Sequence, residues 1–340
     1  MKIRSNDHFK LKIILLGCFT LALFLASFLV GRYAISIRTV IDIILSQFIN
    51  IPQYWDDTLN TVILQVRLPR IVLAILVGGA LSVSGASYQT LFKNPMVSPD
   101  ILGVSAGAGF GAALAMINGA TWWEVQSVAF IFGLIAVIAA YTIAHFFGGN
   151  TITVLILAGI VVSSLFHSLI SIIKTLADTD NQLPSITFWL MGSLGKGTNS
   201  DVLMMLPALI FSLSLIYIFR NQINTLAAGE DEAITMGVNV PLVKLVVVVS
   251  STLMTVSAVS VCGIVGWVGL IVPHIARMLT GANFSKIVVT SFLVGGAFLL
   301  MIDDIIRGVE GVELPLGVLT ALVGTPVFVF LLSRVKKGWT

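Results

Sequence analysis

The chain is divided by stretches without Asp, Glu, Lys or Arg that are too long to be strands or ordinary core helices. They cover residues 13–31, 71–92, 101–123, 125–173, 202–219, 245–276, 287–302 and 314–333. An α-helix rises 1.5 Å per residue, so about 20 apolar residues cross a hydrocarbon layer roughly 30 Å thick. The 49-residue run at 125–173 is cut by Gly148-Gly149-Asn150-Thr151 and holds two helices. The 32-residue run at 245–276 is predicted to break at Gly263, Gly266 and Gly269. Ten spans result. Only 10% of the 340 residues are charged, against about 25% in a soluble domain, which excludes a soluble fold. The expectation is an all-α polytopic membrane protein of about ten transmembrane helices, one domain over residues 1–340. No connection between spans is long enough to hold a nucleotide-binding domain.

Orientation follows from Lys and Arg. With both termini on the cytoplasmic side, the tails at 1–12 and 334–340 and the connections near 93–100, 148–151, 220–244 and 277–286 hold 12 of the 19 basic residues. The reverse placement puts only seven there, so the positive-inside bias supports cytoplasmic termini. Two cysteines, Cys18 and Cys262, lie in apolar runs and suggest neither a disulfide framework nor a metal site. The basic residues do not cluster as a nucleic-acid surface would require.

The chemistry-bearing motifs of common enzymes are missing. Lys196 follows Gly195, but Leu190 and Gly197 break any phosphate-binding G-x-x-x-x-G-K-[ST] pattern. There is no H-E-x-x-H and no G-x-S-x-G, and His8, His145, His167 and His274 are scattered. Neither a catalytic residue nor a metal or other cofactor is expected. An ion-driven secondary transporter would need acids at mid-membrane, and the spans carry theirs at the ends.

Four features remain. Ser164, His167, Ser168, Ser171 and Thr175 fall at i, i+3, i+4, i+7 and i+11, one face of a helix. That face reads as a translocation-path wall, or as hydroxyls bonding back to their own helix. Gly103, Gly107 and Gly111, spaced by four, read as a helix-packing stripe. Arg67, Arg70 and Arg307 lie on the outer side against the positive-inside bias, which points to docking of an acidic external protein, or to snorkelling and local pairing of Arg307 with Asp303 or Asp304. Residues 226–238, within a polar connection at 221–243, read as a short cytoplasmic helix bracketed by Gly229 and Gly237. It has acids in its first turn and apolar Ala233, Ile234 and Met236, a partner-binding element or a plain acidic loop.

These residues sit within a larger resemblance. Arg67-Leu68-Pro69-Arg70, the run from Gly85-Ala86 through Asn94-Pro95 to Leu102-Gly103-Val104-Ser105-Ala106-Gly107, and Leu157-Ala158-Gly159 come first. They are followed by Trp189-Leu190-Met191-Gly192-Ser193, Leu226-Ala227-Ala228-Gly229-Glu230, the run from Gly263-Ile264-Val265-Gly266-Trp267 to Pro273-His274, and Glu313-Leu314-Pro315-Leu316-Gly317 through Gly324-Thr325-Pro326. In this order they resemble the FecCD-type permeases of binding-protein-dependent ABC importers for iron siderophores, heme and vitamin B12. Trp267 stands where that family often carries Phe.

The resemblance implies a type II ABC importer permease fold in the bacterial inner membrane. It implies a homodimer, or occasionally a heterodimer, of ten-helix subunits, with ABC ATPase subunits that bind the ATP and a periplasmic or lipid-anchored substrate-binding protein. It further implies that the helix of Ser164 and Thr175 borders the path and that Arg67, Arg70 and Arg307 meet acidic knobs of the binding protein. Leu226, Ala227, Gly229, Glu230, Ala233, Met236 and Gly237 would belong to the coupling helix seated on the ATPase. Cargo is left open among ferric siderophore, heme, cobalamin and molybdate, with iron chelates the most frequent in the family.

Overall fold

The computed structural model describes residues 2–31, 33–148, 152–309 and 314–335. Fifteen α-helices follow one another, with no strand among the described residues. Seven of them are long and apolar enough to cross a membrane. They are α1 (Lys2–Ser27), α4 (Leu68–Leu91), α6 (Trp122–Gly148), α7 (Ile152–Leu176), α9 (Asn199–Ile218), α12 (Val240–Cys262) and α14 (Phe284–Gly308). Two shorter apolar helices, α5 (Val104–Ile117) and α13 (Val268–Thr280), together with α15 (Leu316–Val335), bring the apolar segments to the expected ten. The remainder are short: α2 (Ile37–Leu45), α3 (Asp57–Thr61), α8 (Gln182–Met191), α10 (Arg220–Ala228) and α11 (Glu230–Thr235).

Several boundaries differ from the sequence reading. Helix α1 starts at Lys2, so the 1–12 tail is already helical. The polar connection expected at 221–243 ends where α12 begins, at Val240. Residues 149–151 of the Gly148–Thr151 turn, Glu313, and 336–340 of the C-terminal tail lie outside the described residues. The break at 263–267 falls on Gly263 and Gly266, while Gly269 lies inside α13.

The short helices have a common cause. At 14 residues α5 is about 21 Å long, less than a span. Residues 92–103 lead into it without helix, and Gly159, two turns into α7, lies against the Ile101 carbonyl. Such irregular backbone survives only where protein satisfies its polar groups. Here Gln89 donates to the Val97 and Leu270 carbonyls at 3.2 and 3.1 Å, the His274 ring nitrogen Nε2 lies 2.9 Å from the Pro95 carbonyl, and Asp100 accepts the Ser105 N–H at 2.7 Å.

Helices α4 and α12 form the centre, with 83% of the apolar window buried in each, against 6% in α1. Hydroxyls join them: Ser84 to Thr255 at 2.8 Å and Tyr88 to Thr252 at 3.1 Å. Small residues allow the closest approaches. Gly107 and Gly111 pack on the Phe132 and Val128 carbonyls of α6, as the spacing suggested. Gly103 does not share that face. It precedes α5 in the left-handed region, φ 81°, and faces Ser163 of α7.

The tightest approach to another backbone is one the sequence did not suggest. A Cβ on Gly85 of α4 would stand 1.8 Å from the Gly269 carbonyl oxygen of α13, a backbone atom that cannot swing aside. Gly85→Ala is expected to lower the melting temperature of the detergent-solubilised chain, at the upper end of, or beyond, the roughly 1–3 kcal/mol typical of overpacking. Gly17→Ala, with nothing within 4 Å, should melt with the parent. Equal melting of both variants would show that the α4–α13 contact gives way.

Candidate translocation path and its two ends

The five polar residues of α7 are all exposed in the single chain, while Ala158, Val162, Phe166 and Ile170 behind them are buried. Each hydroxyl donates to the carbonyl four residues earlier: Ser164 to Ile160, Ser168 to Ser164, Ser171 to His167 and Thr175 to Ser171, all at 2.9 Å. Back-bonding and an uncovered polar face therefore coexist. The hydroxyl hydrogens are satisfied, but the stripe still presents polar atoms and the His167 ring on the outside of the bundle.

A second surface escaped the sequence reading. A cavity of about 730 Å³ opens between the end of α8, the 263–267 break and α15, lined among others by Leu190, Met191, Ile264, Trp267, Leu322 and Thr325. No lining side chain is charged. Three irregular segments meet beside it, where Ser193 N–H donates to the Cys262 carbonyl and Leu316 N–H to the Gly192 carbonyl, both at 2.8 Å. Gly317 has no room for a Cβ, which would lie 2.5 Å from the Met191 carbonyl oxygen. Trp267 caps α13 at φ 71°, a conformation uncommon for a bulky residue, and its ring sits edge-on to Phe328 at 6.0 Å. Leu190, Met191, Val318, Ala321 and Leu322 of the wall are types that also face lipid, so although its irregular segments lie in the motifs that carry the resemblance, no periodicity marks it as a surface.

The three arginines converge on one cleft of about 300 Å³ at the α2–α3 end of the bundle, between α1, α4 and α14. Arg70 Nε and the NH2 nitrogen each lie 2.9 Å from Asp303 Oδ1, and Arg307 Nε lies 3.0 Å from Asp303 Oδ2. Arg307 also pairs with Asp304 and donates to the Ser27 and Val30 carbonyls at 3.0 and 3.2 Å. Arg67, 5% exposed, donates to the Phe28 and Tyr33 carbonyls. The local pairing left open for Arg307 holds and extends to Arg70. None of the three is a free surface hook: Arg67 ties the α1 connection to the start of α4, Arg70 ties α14 to α4, and Arg307 ties the end of α1 to α14. Among the described residues three guanidiniums face two carboxylates, a formal excess of one positive charge in the cleft.

At the opposite end, Leu226, Gly229 and Ala233 point into the protein, Ala233 completely buried, while Ala227, Ile234, Met236 and Gly237 are exposed. Ile234, absent from the set carried over from the family, is 60% exposed and Met236 71%. Glu230 holds α11 to α12 through Lys244 Nζ at 2.8 Å. Gly237, φ 76°, ends α11, with its N–H on the Ile234 carbonyl and that of Val238 on Ala233, the paired bonds of a Schellman stop. Two acids in the first turn, Asp231 and Glu232, and two apolar side chains thus stand out from a pinned short helix.

The profile of the FecCD transport family matches residues 19–334. The chain belongs to the FecCD transport family. It is accordingly an ABC importer permease, of a family that works with a separate ATPase and a substrate-binding protein. The molybdate import system permease of Haemophilus influenzae is 34% identical over 309 residues, 91% of each chain. The Fe(3+) dicitrate transport system permease FecD of Escherichia coli is 34% identical over 280 residues, 81% of this chain and 86% of that one. A structure described as an inward-facing conformation of a metal-chelate type ABC transporter superposes with a TM-score of 0.84. It is 34% identical and the match covers 95% of this permease and 98% of that chain.

Proposed function

We propose that this permease carries a ferric chelate of the siderophore class across the inner membrane. It works as one half of a homodimer, with ATP hydrolysed in a separate subunit bound at α11. The observation that supports the dimer and path is the uncovered polar stripe of α7. A polar face in hydrocarbon is unfavourable, so it calls for a second copy of the chain or a water-filled path. The uncharged 730 Å³ cavity suits a large ligand that slides past weak contacts, with affinity residing in the binding protein. Relatives named for Fe(3+) dicitrate and for a metal chelate support an iron chelate; the relative named for molybdate supplies the alternative cargo.

The binding protein is placed at the arginine cleft, where the excess positive charge favours an acidic side chain. Charge reversal of Arg70 is an unsuitable test of that docking, since it also breaks the buried pair with Asp303.

The path reading is tested by cysteine substitution. In a background with Cys18 replaced by Ser, Ser168→Cys is expected to react with a membrane-impermeant thiol reagent and to cross-link two copies of the permease. Absence of both would place the stripe against lipid and remove it from the path. Uptake of radiolabelled ferric citrate and molybdate into vesicles holding the complete complex separates the two cargoes.

A further inference from the structure

A smaller cavity of about 40 Å³ lies at the α2–α3 end, between the start of α6, the end of α8 and the connection to α9. On the same measure one water needs roughly 10–15 Å³, so it has room for a few atoms. Trp122 and Trp189 both line it, and both indole N–H groups are buried with no hydrogen-bond partner. Buried polar groups are nearly always paired, and an unpaired donor costs about 1–3 kcal/mol. Two orphaned donors at one cavity call for a shared acceptor.

The other polar groups at the cavity narrow its chemistry. Lys196 lines it, with its ammonium 4.9 Å from the centre of the Trp122 ring. The Ser193 hydroxyl oxygen accepts the Gly195 N–H at 3.0 Å, which leaves its own hydrogen to be given. The Cys262 thiol is committed to the Gly263 carbonyl. Indole and ammonium nitrogens only donate, and no carboxylate lines the cavity. The Ser185 hydroxyl, also on the wall, donates to the Asn181 carbonyl. The occupant must therefore accept from two buried indole N–H groups beside the exposed Lys196 ammonium. A single small inorganic anion meets that demand.

We propose that this cavity is a binding site for a monoatomic anion of the chloride class, held by Trp122, Trp189, Ser193 and Lys196. Its place gives it a structural consequence. Trp189 faces the anion, whereas Leu190 and Met191, the next residues of α8, line the larger cavity. An occupied site braces the end of α8 that forms that wall.

The test uses the purified full-length permease in detergent, with chloride exchanged for gluconate at constant ionic strength. A saturable rise in melting temperature with chloride is expected. Lys196→Met, at an exposed position, should weaken the apparent chloride affinity by about tenfold, the loss of one charge-assisted contact, and Lys196→Arg should restore it. Trp189→Phe keeps most of the ring volume, removes the donor and should abolish the rise. Crystals grown in bromide should show an anomalous peak between the two indole nitrogens. Equal melting in chloride and gluconate would overturn the proposal and leave the cavity to water, as would a bromide-free cavity.

Discussion

Replacing Asp303 by asparagine is expected to destabilise the folded chain by about 3–5 kcal/mol, the usual consequence of removing one partner from a buried ion pair. Asp303 is completely buried and its two oxygens serve Arg70 of α4 and Arg307 of its own helix, α14. Arg307 in turn holds the Ser27 and Val30 carbonyls at the end of α1, and Ser27 donates to Asp304 at 2.6 Å. Loss of that single charge leaves Arg70 without a counter-charge and Arg307 with Asp304 alone where three helices meet. Thermal unfolding in detergent measures the effect, and the double variant Asp303→Asn with Arg70→Gln should recover part of it, since one unpaired charge is then gone. Unchanged melting of Asp303→Asn would mean that water reaches the cleft and screens the pair.

The same cluster explains what sequence reasoning missed here. Read by hydropathy alone, Arg67, Pro69 and Arg70 mark the start of a span. In the structure the apolar segment is continuous from Asp57 to Leu91, passing through a π-helical turn at Val62–Arg67. Arg67 is tolerated inside because two main-chain carbonyls accept its hydrogen bonds, and those acceptors are 34 and 39 residues away in the chain. No local pattern announces them.

The number of spans was legible because hydrocarbon thickness sets helix length, and charges end the runs wherever water begins. Their true lengths were not. Pro95, Pro99, Gly263 and Gly266 mark where the helices are interrupted, but Ile101 and Leu102, which stay out of α5, carry the same side chains as the helix they precede, and tertiary pairing holds them there. The α7 stripe was legible because its 3.6-residue period stands out against an apolar background. The cavity wall was illegible because Leu322 and Met191 look the same whether they face lipid, a partner or cargo. Gly107 and Gly111 announced themselves by spacing; Gly85 and Gly269 form a pair only across two helices.

At the other end of the bundle, Ile234→Asp with Met236→Asp is expected to abolish transport and ATPase association while leaving the permease folded. The two side chains are 60% and 71% exposed and make no part of the core, so the chain loses little by their replacement. In a partner's groove they would be buried. Apolar anchors at the centre of an interface are worth about 2 kcal/mol or more each, so each aspartate should weaken association roughly 30-fold or more. Affinity purification of the permease from native membranes in mild detergent, with mass spectrometry of what accompanies it, measures this directly. The parent should bring an ATPase at equal stoichiometry and the double variant should not. Ala233→Asp supplies the contrast, because Ala233 is completely buried on the inner face of α11 and a charge there should unfold the segment. Two exposed charges that left the ATPase bound would move the coupling contact off α11. A parent that purified alone, under conditions that keep other ABC complexes intact, would remove the need for a partner there at all.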